Sequence, residues 1–290
     1  MMTAELNLQK TGDFAQVQSI DFVERFNGSI TKLIEALGVT RKIPLQNGMT
    51  VKTYKATTTL QSGQVAEGDL IPLSKVITEP DQTYEVTFDK YRKAVSAEAI
   101  QRHGFDQAVS DTDARLLKEI QKGIRSKFFN FLANGTGTGT ATDLQGALAQ
   151  AWGKVQTLFE DDGVNTIAFV NPLDVADYLG KANVTTQTVF GMAFISGFTG
   201  VTIITNTNVP VGTVYATAPE NIVLAYVELT GGELGRAFSF TLDESGYIGV
   251  THSQEINNLT YETVAINGIL LFAERLDGVI KITISDGAGV

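Results

Sequence analysis

The sequence predicts an α+β protein, and three observations carry this prediction. Residues 106–133 repeat apolar side chains at helical spacing, with charged side chains on the opposite side. Residues 48–60 and 81–93 alternate their side chains in the manner of two long strands. The last part of the chain, residues 246–290, consists of short runs typical of strands. No segment repeats at a fixed period, so a solenoid or propeller is not predicted.

Composition and charge exclude several classes of function. The chain has 290 residues, 43% of them hydrophobic, which is enough to bury a substantial core. Its net charge of −10 argues against electrostatic capture of nucleic acid, because phosphate binding depends on Lys and Arg. It contains no cysteine, which excludes disulfides and thiolate metal sites. The N-terminal sequence lacks the basic and apolar regions of a signal peptide, and no apolar run is long enough for a membrane helix, so we expect a soluble protein made in a cytosol.

The N-terminal residues 1–47 predict an arm with one amphipathic helix. Residues 1–19 are polar, whereas "IDFVERFNGSITKLIEALG" (20–38) repeats apolar residues at helical spacing and ends on Gly38. These apolar residues are Phe22, Phe26, Ile30, Leu33, Ile34 and Leu37. We interpret this segment as a packing helix.

The strands predicted in residues 48–91 form a long hairpin around the stretch "VAEGDLIPL" (65–73). In the second strand Tyr84, Val86 and Phe88 share one face, opposite a polar face. The distal half of the hairpin has too little apolar sequence for a core sheet. Because an isolated two-stranded hairpin is marginally stable in water, something outside this hairpin must hold it.

The remaining elements alternate between helices and strands. After the helix of residues 106–133, we predict a flexible glycine-rich loop at 134–143, a helix at 143–159, a strand at 166–171 and a helix starting at Pro172. Further strands are predicted in "FGMAFISGFTGVTIITNTNVPVGTVYATAPENIVLAYV", "FSFTLD", "TYETVAINGILLFAERLDG" and "VIKITISD".

The search for catalytic or ligand-binding motifs gives mostly negative results. His103 and His252 are the only histidines, without an HExxH pattern, and each is interpreted as a structural or surface residue. "DTD" at 111–113 lacks the glycine and the closing glutamate of a calcium loop. The glycine-rich loop follows a helix and has no Lys-Ser/Thr, unlike a phosphate-binding loop. Glu67 and Asp69 could form an acid/base pair, but nothing near them in sequence would remove water from them. We therefore predict no enzyme and no catalytic, cofactor or metal site.

The order of these parts resembles that of the major capsid proteins of tailed bacteriophages, whose fold is shared with encapsulin shells and the herpesvirus capsid floor. The resemblance covers residues 20–285. Its most specific sequences are "VAEGDLIPLSKV", "AVSAEAI", "FVNPLDVADYL", "GVTIITNTNVPVGTVYATAPENIVLAY" and "ILLFAERLDGVIKITI". The resemblance implies an N-terminal arm, an extended hairpin loop (48–91), a peripheral domain with a spine helix (92–140), an axial α/β domain (141–245) and a β-rich return to the peripheral domain (246–290).

The resemblance also implies a role for the hairpin. In this family the extended loop reaches over a neighbouring subunit of the same capsomer. Its apolar tip residues would then be buried across an interface, and its two carboxylates would orient the docking against basic groups. The expected contact residues are Leu60, Val65, Glu67, Asp69, Leu70, Ile71 and Leu73. An ordinary hairpin within one domain is the alternative.

At the level of function, the resemblance implies pentamers and hexamers that form an icosahedral shell around double-stranded DNA, in the virion and, during assembly, in the host cytoplasm. With about 19 residues before the first helix, we expect a separate scaffolding protein and a portal as assembly partners. Some relatives form a Lys–Asn isopeptide bond, but Lys52, Lys55 and Lys75 match no partner here, so no catalytic residue is carried over. An encapsulin-like nanocompartment is the second interpretation.

Overall fold

The computed structural model describes residues 33–34, 41–159, 164–181 and 201–285. Its helices are α1 (Ala97–His103), α2 (Asp111–Leu132), α3 (Leu144–Phe159), α4 (Pro172–Lys181) and α5 (Gly232–Ala237). The strands of the N-terminal half are β1 (Arg41–Leu45), β2 (Thr50–Thr59), β3 (Lys75–Glu85), β4 (Asp89–Ser96), β5 (Gly137–Ala141) and β6 (Thr166–Val170). Those of the C-terminal half are β7 (Val201–Thr205), β8 (Thr213–Thr217), β9 (Ile222–Val227), β10 (Thr241–Leu242), β11 (Ile248–Glu255), β12 (Thr260–Asn267), β13 (Ile269–Ala273) and β14 (Ile280–Ile284).

The described strands form four sheets, three of which belong to the body of the subunit. A five-stranded sheet has the order β5-β14-β8-β6-β7, a four-stranded sheet the order β10-β11-β12-β4, and a three-stranded sheet the order β1-β9-β13. The fourth sheet contains only β2 and β3. Strands from distant parts of the sequence meet in each body sheet, as when β1 pairs in parallel with β9. This mixture of helices with parallel and antiparallel strands confirms the predicted α+β class.

The long helix predicted in residues 106–133 is confirmed as α2, preceded by a π-helical turn at Asp106–Ser110. Its buried face contributes Ile120, Ile124, Phe128 and Leu132 to the largest apolar cluster of the subunit. Phe128 and Phe129 each pack edge-on against Phe169 of β6, with ring centroids 5.9 and 5.4 Å away. The helix therefore joins the four-stranded sheet to the five-stranded one through a shared core.

The glycine-rich segment predicted as a flexible loop is a strand, and the prediction was wrong. Residues 137–141 form β5, which pairs in parallel with β14 along its whole length. A Cβ at Gly137 would lie 2.3 Å from Ile280 and one at Gly139 would lie 2.6 Å from Ile282. The glycines leave room for the β14 side chains that pass close to the β5 backbone, whereas composition alone resembles that of a loop.

Other predicted elements are confirmed with small changes of extent. The helices predicted after residue 143 and at Pro172 are α3 and α4, and the strand at 166–171 is β6. In "FSFTLD" only Thr241–Leu242 is a strand. The N-terminal helix predicted at residues 20–37 lies outside the described residues except for Leu33 and Ile34, which are helical and buried against the cluster around α2.

Candidate assembly surface

The extended hairpin is defined as β2, β3 and the residues between them. Among the described residues, it is anchored only at its base. There Val51 and Tyr84 pack into a cluster with Phe272 and other side chains of the three-stranded sheet, and the Tyr84 and Phe272 rings are 4.6 Å apart. Met49 accepts a backbone hydrogen bond from Val86 at 3.1 Å. Tyr84, Val86 and Phe88 share one face as predicted, because all three side chains pack into this cluster. The single strand predicted over residues 81–93 was wrong, since β3 ends at Glu85 and β4 begins at Asp89 in a different sheet.

Beyond its base the hairpin leaves the subunit. Every residue from 54 to 83 is exposed, and among the described strands β2 and β3 pair only with each other. The ladder runs from Thr50–Glu85 to Thr59–Lys75, with a bulge after Lys52. Such a two-stranded ribbon gains little from its own side chains, since it has no sheet neighbour and no covering layer.

The hairpin tip, residues 60–74, carries all seven predicted contact residues. Each of Leu60, Val65, Glu67, Asp69, Leu70, Ile71 and Leu73 is exposed in the subunit. Leu70 and Leu73 are both 93% exposed, which is unusual for large aliphatic side chains. The structure therefore brings these residues together in one loop, at the end of the hairpin farthest from its anchored base.

Local hydrogen bonds shape the tip. The Asp69 N–H donates to the Ala66 carbonyl at 3.1 Å, closing a turn in which Gly68 has φ +88°. A positive φ at this position favours glycine, because a Cβ would clash with the backbone. The Gln61 N–H donates to Ser74 Oγ at 3.1 Å and ties the two sides together. Within the described residues, the Glu67 and Asp69 side chains form no hydrogen bond or ion pair, so they are free to meet a partner.

The sequence reasoning missed exposed apolar residues on the shaft of the hairpin. Tyr54 is 60% exposed and Val76 is 63% exposed, and Ile77 is also exposed. The abundance of Thr in β2 concealed these positions, since the strand as a whole reads as polar. The available signal was Tyr54 itself, a large aromatic side chain in a strand without a predicted core.

An ion cluster lies where α2 begins on the four-stranded sheet. Lys93 of β4 forms an ion pair with Asp113 at 2.6 Å, and His252 Nε2 of β11 lies 2.8 Å from the second oxygen of Asp113. The Lys93 ammonium also donates to the Val109 carbonyl at 3.1 Å and to Thr112 Oγ1 at 2.5 Å. Lys93 therefore donates a hydrogen bond to a backbone carbonyl of the π-helical turn, where the regular α-helical bonds are absent.

The electrostatics of this cluster indicate a structural role. Burial alone would raise the pKa of Asp113, but hydrogen bonds from Lys93, His252 and Thr263 lower it below the ordinary value of 3.8. Burial lowers the pKa of Lys93, against the opposing effect of Asp113. The cluster holds β4, β11 and the start of α2 together. It also places the His252 ring within hydrogen-bonding distance of the Asp113 carboxylate, a structural contact.

Within the described residues, no three His, Asp or Glu side chains converge as metal ligands would. None of the described helices combines the length and the low polarity that crossing a bilayer requires.

The comparisons with known proteins identify the family. The sequence model of the family described as phage capsid protein matches residues 82–262, which is more than half of the chain. The chain belongs to this family of phage capsid proteins. It is a major capsid protein, a structural protein of the bacteriophage shell. No curated protein matches the chain.

Solved structures with the same fold are distant in sequence. The capsid protein of cyanophage P-SCSP1u is similar with a TM-score of 0.63 and 8% identity, covering 92% of this chain and 94% of that one. The capsid protein of the Myoviridae phage XM1 has a TM-score of 0.59 and 12% identity, with 97% and 100% of the two chains covered. The SrpI encapsulin of Synechococcus elongatus has a TM-score of 0.56 and 12% identity, with 98% and 99% covered. These likenesses confirm the fold that the sequence predicted.

Proposed function

We propose that this chain builds the head of a tailed bacteriophage, as pentamers and hexamers of an icosahedral shell that encloses double-stranded DNA. In this proposal the extended hairpin of each subunit docks on a neighbouring subunit of the same capsomer. The division into arm (1–47), extended loop (48–91), peripheral domain (92–140), axial domain (141–245) and β-rich return (246–290) is part of the proposal.

The observation that carries the proposal is the continuous exposure of residues 54–83 around an apolar tip. Full burial of a Leu or Ile side chain contributes about 1.5–3 kcal/mol. Leu60, Leu70, Ile71 and Leu73 gain none of this within their own subunit, because all four are exposed. Docking on a neighbour would recover it and would hold a hairpin that is marginal alone.

Glu67 and Asp69 have a second role in this contact. They flank Gly68 in the turn of the tip and are exposed next to its apolar residues. Carboxylates at the rim of an apolar contact favour one orientation against basic groups of the neighbour, and they contribute register more than affinity.

Enclosure of DNA in this proposal does not depend on sequence readout, since the chain carries a net charge of −10. A separate scaffolding protein and a portal are the proposed assembly partners, and assembly takes place in the host cytoplasm. The subunit has no enzymatic activity in this account, and no cofactor or metal is required.

An encapsulin-like compartment is the second candidate. It is favoured by the similarity to the SrpI encapsulin, which covers nearly the whole of both chains, and by the amphipathic segment at residues 20–37. The two candidates differ in content, because a phage head would hold nucleic acid and a compartment would hold protein cargo.

The proposal is tested by expressing the full chain and examining it by sedimentation and electron microscopy. We expect closed shells of pentamers and hexamers, alone or after addition of the scaffolding protein encoded with the chain. Shells isolated from the native source that carry protein cargo and no nucleic acid would favour the second candidate. A chain that stays monomeric with its scaffolding protein present would contradict both.

A further inference from the structure

The register of the extended hairpin sorts its shaft into two faces of different chemistry. Residues directly opposite each other in an antiparallel pair point to the same side. Between the bulge and the tip, one face consists of the pairs Tyr54–Pro80, Ala56–Thr78 and Thr58–Val76. The opposite face consists of the pairs Lys55–Glu79, Thr57–Ile77 and Thr59–Lys75. The first, here called the tyrosine face, carries no charged residue, whereas the second, the lysine face, carries three.

The lysine face is the one that continues toward the subunit's own core. In β2, Val51 and Thr53 lie on the same side as Lys55, because side chains alternate along a strand. Val51 packs into the cluster at the base and Thr53 is buried. Lys55 also lies near enough to Asp277 to help Arg275, the main cause, lower the pKa of that carboxyl. The tyrosine face therefore points away from the subunit to which it belongs.

The bulge produces this separation. Between Lys52–Thr83 and Tyr54–Pro80, β3 advances three residues while β2 advances two. The extra residue reverses the alternation of β3, so that Val76 and Pro80 lie opposite to the side on which Tyr84 packs. Without it, Val76 and Pro80 would share the face of Lys55, and the uncharged surface would be divided between both sides.

We infer that the tyrosine face of the shaft, including Tyr54 and Val76, is the side that lies on a second copy of this chain, while the lysine face stays in contact with water. The inference rests on the proposed function, because it names the surface through which the proposed contact is made. The occupant is a second copy because the face is continuous with the apolar tip, whose proposed partner is the neighbouring subunit. Lys52, on the same side of β2, marks the base end of this surface.

Desolvation explains why only one face is used. Covering the lysine face would remove water from Lys55, Lys75 and Glu79, and a buried charge is costly unless it is paired and hydrogen-bonded. Covering the tyrosine face removes water from an aromatic ring, aliphatic groups and hydroxyls, which cost far less. The confinement of the charged side chains to one face also gives the hairpin one preferred side, so that it docks in one orientation.

Cysteine labelling tests the inference without background labelling of native thiols, because the chain has no cysteine. Thr58 and Thr57 are adjacent, exposed and of the same type, but they lie on opposite faces. Each of the variants Thr58→Cys and Thr57→Cys is labelled with a soluble maleimide, once as free subunits and once as assembled particles. In free subunits both thiols should react at similar rates.

In particles, labelling of the Thr58→Cys variant should slow by about tenfold or more, since the thiol reacts only when the contact opens. Labelling of the Thr57→Cys variant should stay within about twofold of its rate in free subunits. Equal protection of both positions, protection of position 57 alone, or no protection at either would overturn the assignment of the face. Absence of particles from the wild-type chain would instead count against the proposed function.

A second matched pair uses assembly as its readout. Val76 and Ile77 are neighbours in β3, both exposed, and lie on the tyrosine and lysine faces respectively. Val76→Asp should abolish shells, whereas Ile77→Asp should assemble like the wild type. Melting temperatures of the two free subunits control for folding. The reverse order, or equal yields of shells, would contradict the inference.

Discussion

Two antiparallel hairpins of similar length differ in how far they are packed within this subunit. β11 and β12 pair over eight positions, and β4 and β10 flank them in a four-stranded sheet. β2 and β3 form the extended hairpin, which has no flanking strand and is exposed from residue 54 to residue 83. The β11–β12 pair contributes Ile248, Val250 and Ala265 to the core around α2, whereas the tip of the extended hairpin contributes no buried side chain.

Pairing between strands therefore does not by itself determine whether a hairpin is stabilised within its own subunit. Both hairpins pair their facing backbone groups in an antiparallel ladder, which a bulge after Lys52 interrupts in the extended hairpin. Apolar burial is the larger favourable contribution to folding, and β11–β12 adds it within the subunit, whereas the extended hairpin adds it only at its base. In the proposed function, the extended hairpin obtains that contribution from a neighbouring subunit.

The largest effect is expected from Leu70→Asp in the tip of the extended hairpin. A carboxylate forced into an apolar intersubunit contact costs several kcal/mol unless it finds a partner. A shell repeats the contact in every subunit, and even about 1.4 kcal/mol per contact changes its equilibrium constant tenfold. Shell yield by sedimentation should collapse, while the melting temperature of the free subunit should match that of the wild type. Leu70→Met, which keeps an apolar side chain, should assemble. Normal shells from Leu70→Asp would identify the tip as a solvated loop.

A truncation in the core should have the converse effect. Phe128 is fully buried against Phe129 and Phe169, so Phe128→Ala should destabilise the free subunit by about 3–5 kcal/mol in urea unfolding followed by circular dichroism. Tyr54→Ala, which truncates an exposed ring of the extended hairpin, should change the same quantity by less than about 0.5 kcal/mol. Comparable losses in the two variants would place Tyr54 in its own subunit's core and would remove the distinction between the two regions.

A smaller effect is expected at the ion cluster that holds β11 and β4 to α2. Asp113→Asn leaves the buried Lys93 ammonium without its carboxylate and should cost about 3 kcal/mol of subunit stability at neutral pH. Asp69→Asn, in the exposed tip, is the matched control and should leave that stability unchanged. If the Asp113→Asn variant were as stable as the wild type, the cluster would contribute nothing to the packing of α2.

The same carboxylate predicts a pH dependence. The folded-state pKa of Asp113 lies below the ordinary 3.8, so its stabilisation is fully present above that value and is lost as the pH falls through the folded pKa. The wild-type subunit should therefore lose stability steeply below about pH 4, and the Asp113→Asn variant less steeply. Urea midpoints measured between neutral and acidic pH check this. Parallel curves for the two proteins would contradict it.

The elements that sequence reasoning identified are those with a strong period of their own. The apolar repeat of α2, the alternation of Tyr84, Val86 and Phe88, and Pro172 at a helix start are local signals. The predicted tip residues were also accessible, because large apolar side chains in a polar segment are visible without a structure.

Long-range pairing could not be predicted in the same way. The parallel contacts of β1 with β9 and of β5 with β14 join segments far apart in the chain, and no local pattern specifies them. The strand β5 resembles a loop because its glycines respond to the side chains of β14, a neighbour that the sequence does not name. The uncharged tyrosine face was hidden because one bulge changes the partner of every β3 residue between the bulge and the tip.

The central claim is that the extended hairpin is held by a neighbouring subunit and not by its own. Hydrogen exchange, followed by mass spectrometry on free subunits and on assembled shells, tests it most directly. The account predicts that amides of residues 54–59 and 75–83 exchange rapidly in free subunits and become protected in shells, while amides of β11 and β12 are protected in both. Equal protection of the extended hairpin in free subunits and in shells would contradict the claim.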